Sequence, residues 1–181
     1  MIAVMAVAAL TANAQQGEYY VTPKIDLGYT SIHNLNDAKS GIIGGVGVDF
    51  EYMVADQFGV GAGVDFQYME SEKVNGYKLK YSHVAIPVVG KYHIGQFAIK
   101  AGIQPTFKTS CKLDYEGQEA NASEATKSFT LYVPVGVSYT FNTPIELGLN
   151  VAIPCTGIGK NVSESDNTKI MPIYLSVGYR F

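Results

Sequence analysis

The sequence predicts an all-β protein, namely an eight-stranded antiparallel up-and-down transmembrane β-barrel. Three observations lead to this prediction: a short apolar N-terminus, strict alternation of apolar residues through most of the remaining chain, and an apolar set too bulky for a barrel interior. The 181 residues are 47% hydrophobic but only 16% charged, against the roughly 25% charged content usual in soluble domains. This length and composition fit one folded domain after a targeting segment.

The N-terminus has the features of a signal peptide. An apolar run over residues 2–11 is followed by Ala12-Asn13-Ala14, which matches the small-x-small pattern of signal-peptidase cleavage. The run is shorter than the roughly 20 residues that a membrane-spanning helix needs. One feature departs from a standard signal, because no charged residue precedes Glu18. We therefore predict a signal peptide over residues 1–14 and a barrel domain over residues 15–181.

Alternation with period 2 defines the strands. In the third predicted strand, for example, Phe58 and Val60 alternate with Gly59 and Gly61. Such alternation, interrupted by turn-like sequences, indicates β-strands with one apolar face. The eight segments cover residues 20–31, 42–53, 58–69, 81–92, 97–108, 128–141, 145–154 and 170–181.

Side-chain volume decides which face points outwards. All eight phenylalanines belong to the apolar set, whereas the opposite set is rich in Gly, Ala, Ser and Thr. An eight-stranded barrel has an interior only just wide enough to be filled by side chains. The bulky set therefore points outwards, and only lipid tolerates such a surface.

The inward set also carries charged residues, five acidic and four basic. Desolvated charges need partners, so this balance predicts ion pairs that close the lumen. A gated or proton-conducting path through the same groups is the alternative. The nine residues are Lys24, Asp26, Asp49, Glu51, Asp65, Lys91, Lys100, Glu146 and Arg180.

Connection lengths predict the orientation. Short connections at 54–57, 93–96 and 142–144 alternate with longer ones at 32–41, 70–80, 109–127 and 155–169. Outer-membrane barrels have short periplasmic turns and longer outer loops. We therefore predict the outer membrane of a Gram-negative bacterium as the location, with both termini in the periplasm.

Two strands resemble known sequences. The last strand ends in Tyr179-Arg180-Phe181, which resembles the C-terminal signal of bacterial outer-membrane barrels, with Tyr179 and Phe181 as its aromatic positions. This resemblance implies recognition by the barrel-assembly machinery. The strand Val84-Ala85-Ile86-Pro87-Val88-Val89-Gly90-Lys91-Tyr92 resembles a strand of the PorT-like outer-membrane barrels of Bacteroidota. That family implies a small barrel, with relatives thought to act in protein secretion.

Catalytic candidates are few. His33 and His83 are predicted near the outer mouth, close to Asp37, Glu70 and Glu72 in the loops, where a metal or acid–base site could form. Solvated loop residues are the alternative, and we expect no metal and no cofactor.

Two further observations argue against catalysis. Ser82 and His83 are adjacent and so point to opposite faces of a strand. His93 is predicted in a periplasmic turn, bonded to water. We therefore predict that the protein is not an enzyme.

The two cysteines leave two interpretations open. Cys111 and Cys155 open the third and fourth predicted outer loops, where an oxidising exterior permits a disulfide between the loops. Two separate thiols are the alternative.

Three function classes remain. The first is a structural or interaction barrel that contacts an envelope or host protein through its outer loops. The second is an accessory subunit of a secretion machine or a small pore, and the third is a lipid-modifying enzyme. The predicted surroundings are outer-membrane lipid and lipopolysaccharide. Nucleic acid is not expected as a partner, because 13 basic and 16 acidic residues give a net charge of −3.

Overall fold

The computed structural model describes residues 16–33, 40–71, 77–115, 118–121, 124, 126–160 and 169–181. The predicted signal peptide therefore lies outside the described residues. Among the described residues, no helix is long and apolar enough to cross a membrane. The strands are β1 (Tyr19–His33), β2 (Gly41–Ala55), β3 (Phe58–Ser71), β4 (Tyr77–Ala85), β5 (Val88–Ile94), β6 (Phe97–Tyr115), β7 (Gln118–Asn121), β8 (Phe129–Thr140), β9 (Ile145–Pro154) and β10 (Lys169–Tyr179).

These strands form one closed antiparallel barrel. Strands that are consecutive in the chain pair with each other, except β4 with β5 and β7 with β8, and β1 pairs with β10 to close the sheet. Strands β4 and β5 together make a single barrel strand, since both pair with β3 on one side and β6 on the other. Strand β7 pairs only with β6. Ten segments less β7, with β4 and β5 counted once, give eight barrel strands, and the predicted fold class is confirmed.

The interruption between β4 and β5 comes from Pro87. Proline has no backbone N–H and cannot donate to a neighbouring strand. Pairing continues around it, because the Ile86 N–H donates to the Pro105 carbonyl and the Pro87 carbonyl accepts from the Gly63 N–H, both at 2.8 Å. The predicted strand 81–92 is therefore one barrel strand in two pieces.

The predicted faces are also confirmed. Along β1, Ile25, Leu27 and Tyr29 are exposed on the outer surface, whereas Lys24 and Asp26 are buried in the lumen. Aromatic rings meet in pairs near strand ends, as in Tyr179–Phe181, with centroids 4.6 Å apart, and Phe107–Phe129, at 5.5 Å. We call the end with the short connections the turn end and the opposite end the loop end.

At the loop end the strands are longer than predicted. Strand β6 continues to Tyr115 instead of 108, and β4 begins at Tyr77 instead of 81. The added residues include Lys78, Lys80 and Asp114, so they lack the apolar alternation on which the prediction depended. Hydrogen bonding between strands needs no apolar face, and the ladder continues past the last lipid-facing rings.

Candidate functional site

The lumen is filled in three layers between the two ends of the barrel. At the turn end lies a charged cluster, which we call the turn-end cluster: Glu51, Lys91, His93, Glu146 and Arg180. Next is the middle cluster of Lys24, Asp49, Asp65 and Lys100. Nearest the loop end lies an apolar group, the loop-end cap: Ile43, Met69, Tyr81, Cys111, Ile158, Ile170 and Tyr174.

Glu51 is the centre of the turn-end cluster. Its Oε2 atom lies 3.2 Å from Lys91 Nζ and 3.4 Å from Arg180 Nη2. Its Oε1 atom lies 2.5 Å from His93 Nε2. Glu146 forms longer ion pairs with two of these side chains, at 3.8 Å from Lys91 and 4.0 Å from Arg180. One buried carboxylate thus contacts three basic side chains.

The cluster forms because its members share a strand face. Lys91 and His93 are two residues apart on β5, so both side chains point inwards. The structure corrects the prediction for His93, which is only 8% exposed and bonds to Glu51 instead of water. The reason is that β5 continues to Ile94, one residue beyond His93.

The middle cluster is centred on Lys24. Its Nζ atom lies 2.9 Å from Asp49 Oδ1 and 3.1 Å from Asp65 Oδ1. Lys100 belongs to no ion pair within the described part of the chain. It pairs in register with Lys91, a like charge, and lines a cavity of about 20 Å³ with Lys24 and Asp49. A cavity of that size holds about one water molecule.

Asp26 is the second predicted charge that belongs to no ion pair among the described residues. Its Oδ2 atom accepts a hydrogen bond from Gln67 Nε2 at 3.1 Å, and Gln67 Oε1 lies 3.0 Å from His83 Nε2. Asp26 therefore joins an amide–imidazole chain. The sequence could not indicate this, because Gln67 is uncharged and was not among the predicted network residues.

Of the predicted acid–base or metal constellation at the outer mouth, the structure describes the side chains of His83 and Glu70, and these two do not meet. His83 is buried in the lumen, whereas Glu70 lies at the rim and pairs with Lys78. Asp37, Glu72 and the side chain of His33 lie outside the described residues. In the described ranges, no group of three or more His, Cys, Asp or Glu side chains could hold a metal ion.

The loop-end cap contains a residue that sequence reasoning missed. Ile158 follows β9 in a polar segment, yet it is buried against the lumen residues. Its carbonyl accepts a hydrogen bond of 2.7 Å from the Lys127 N–H, and Gly159 forms a β-bridge with Thr126. An isolated isoleucine between Gly157 and Gly159 was the only available signal.

Of the two interpretations left open for Cys111 and Cys155, the structure has the separate thiols. Cys111 is buried in the lumen and Cys155 is exposed, and neither belongs to a disulfide. The cause is a β-bulge in β6: Ser82 pairs with Ser110 and His83 with Lys108, which leaves Thr109 unpaired. One extra residue reverses the face of the side chains that follow, and Cys111 turns inwards.

The comparisons agree with this architecture. Residues 1–181 match the family described as Outer membrane protein beta-barrel domain. Among curated proteins, none matches this chain.

Solved structures give the same result for the fold. Neisserial surface protein A (NspA) superposes with a TM-score of 0.62 at 15% identity, over 90% of this chain and 97% of that one. The attachment invasion locus protein Ail of Yersinia pestis gives 0.56 at 13% identity, over 92% and 100%. With its closed sheet, apolar exterior and charged lumen, the chain belongs to the outer membrane protein beta-barrel domain family and is an integral bacterial outer-membrane β-barrel.

Proposed function

We propose that this protein is a non-conducting, non-enzymatic barrel that binds an envelope or host protein through its loop end. The observation that carries this proposal is a sheet that projects beyond the lipid-facing rings. From Phe107, β6 runs through residues 108–115, an extended length of about 25 Å. Strand β4 pairs with it on one side and β7 on the other.

The filled lumen supports the absence of conduction. Ion pairs occupy the turn end, and apolar side chains occupy the loop end. An ion would have to displace both layers, and barrels of this width lack an aqueous channel. What the protein offers to a partner is therefore its projecting surface.

The arrangement around Ser82 supports the absence of catalysis. Ser82 lies on the outer register of β4 next to Tyr68, whereas His83 is buried on the lumen side. The hydroxyl and the imidazole are on opposite faces of the sheet and cannot act as a nucleophile and base together.

The orientation is tested first with the native thiol. Cys155 is exposed at the loop end, and Asp56 is exposed at the turn end. A membrane-impermeant maleimide is expected to label Cys155 on intact cells, and Cys155→Ser is the control that removes the signal. The variant Asp56→Cys, made in that background, is expected to react only after permeabilisation. Labelling of Asp56→Cys on intact cells would show the opposite orientation and contradict the proposed one.

The binding surface is tested by site-specific photocrosslinking on intact cells. Leu113 is an exposed residue of the projecting sheet, and Ile94 is an equally apolar exposed residue at the turn end. A photoreactive amino acid at 113 is expected to capture one protein in near-stoichiometric amount, whereas the same residue at 94 does not capture it. Equal capture at both positions, or none at 113, would contradict the proposal.

A second candidate is an accessory role in protein secretion, as a PorT-like barrel of Bacteroidota. The strand Val84–Tyr92 favours it by its resemblance to that family. The photocrosslinking experiment also separates the candidates, because a captured secretion component would favour the second and a surface-exposed host or envelope protein the first.

A further inference from the structure

An apolar groove lies on the lipid-facing surface of β1, β2 and β10, with one lining residue each from β3 and β9. Its floor is Gly44, and its walls include Leu27, Tyr29, Tyr68 and Leu175. The groove has a volume of about 610 Å³. It is an open depression on the barrel surface and not an enclosed cavity. Apart from Gly28 and Gly44, every residue of its lining is aliphatic or aromatic.

The groove exists because Gly44 occupies an outward position. A Cβ atom placed there would have Leu27 Cδ2 as its nearest neighbour, at 3.6 Å. The missing side chain leaves the neighbours uncovered: Leu27 is 67% and Tyr29 68% exposed. Packing does not require glycine at this position, and the space is open to lipid.

A polar pocket continues the groove towards the loop end. It shares Tyr29 and Ile42 with the groove, has a volume of about 300 Å³, and adds Ser40, Glu70 and Lys78. The Lys78 ammonium donates to Glu70, and the Tyr68 hydroxyl donates to Glu70 Oε2 at 3.1 Å. The pocket thus offers both donors and acceptors, while its two charges offset each other.

We propose that the groove and the pocket together bind one glycolipid of the outer leaflet. An acyl chain lies over Gly44. The sugar hydroxyls form hydrogen bonds with Glu70, Lys78 and Ser40. The order of polarity matches such a lipid, since the apolar part lies deeper along the strands and the polar part lies at the rim. A neutral pair of opposite charges suits hydroxyl groups, which both donate and accept. This inference rests on the orientation proposed above, with the loop end outside.

The test uses the full barrel reconstituted in vesicles of phosphatidylethanolamine and phosphatidylglycerol containing one-tenth lipid A by mole. After extraction into mild detergent, native mass spectrometry counts the lipids retained on each barrel. The wild type is expected to retain one lipid A. The variant Gly44→Leu fills the groove and is expected to reduce that retention about tenfold, the equivalent of roughly 1.4 kcal/mol.

Two further variants separate the groove from the pocket and from general effects. Ala101→Leu enlarges an outward residue of β6, away from the groove, and is expected to retain lipid A as the wild type does. The double variant Glu70→Ala/Lys78→Ala is expected to retain phospholipid and lipid A without preference. Equal lipid A retention by Gly44→Leu and wild type, a wild-type preference for phospholipid, or no retained lipid would overturn the inference. An inverted orientation would be seen separately, by thiol labelling of Cys155 and Asp56→Cys.

Discussion

Replacement of Lys91 by glutamate is expected to destabilise the barrel by about 5 kcal/mol or more, the upper range for breaking a buried ion pair. Lys91 and Glu51 have side chains only 3% exposed, and Glu146 is within 4 Å of the same ammonium. The substitution removes one cation and places a third carboxylate among the first two. Water cannot solvate these charges inside the lumen, so their mutual repulsion destabilises the folded state relative to the unfolded state.

The measurement is the midpoint of urea unfolding in detergent micelles. The folded fraction is read from the difference in electrophoretic mobility between folded and heat-denatured protein. Lys160→Glu makes the same charge change at an exposed position and is expected to leave the midpoint within the error. The exchange Lys91→Glu/Glu51→Lys restores opposite charges and is expected to recover part of the loss. An unchanged midpoint for Lys91→Glu would rule out a structural role for the turn-end cluster.

The second large effect is expected at the C-terminus. Substitution Phe181→Ala should lower the amount of assembled barrel in cells severalfold, because we propose that the ring of Phe181 is part of the signal recognised during insertion. The structure gives the residue a further role, since its N–H donates to the Val21 carbonyl at 2.9 Å and its carbonyl accepts from the Val21 N–H at 3.3 Å. The ring also packs on Tyr179.

The alanine variant keeps those backbone hydrogen bonds and removes only the ring. Refolding of purified protein in detergent therefore tests closure, whereas the level in outer membranes tests recognition. We expect near wild-type refolding together with the reduced level in cells. Poor refolding would make Phe181 a closure residue instead, and a wild-type level in cells would exclude the assembly-signal interpretation. Thr140→Ala, at the turn end of β8, is a control that leaves both terminal strands intact.

Both predictions concern a barrel whose interior is built for closure. Arg180 connects the turn-end cluster with the C-terminus, because it forms an ion pair with Glu51, lies over the Tyr20 ring at 3.7 Å from its centroid, and precedes Phe181. The last strand thus closes the sheet and completes the turn-end cluster at the same time.

The sequence by itself determined the strands, their faces and the membrane environment. Lipid imposes an apolar side chain at every second position, so Leu27 and Leu175 could be assigned outwards and Lys24 and Glu51 inwards without coordinates. The lumen charges could be found for the same reason, since a charged residue within an alternating strand has only one face available.

Only the tertiary structure decided which charges meet and which residues close the ends. Glu51 contacts three basic side chains while Lys100 lies opposite Lys91, because partner choice depends on the register between strands. The bulge at Thr109 turned Cys111 inwards, and the path of a loop placed Ile158 in the lumen. Periodicity describes each strand alone, whereas register, bulges and loop paths are relations between strands that form only when the barrel closes.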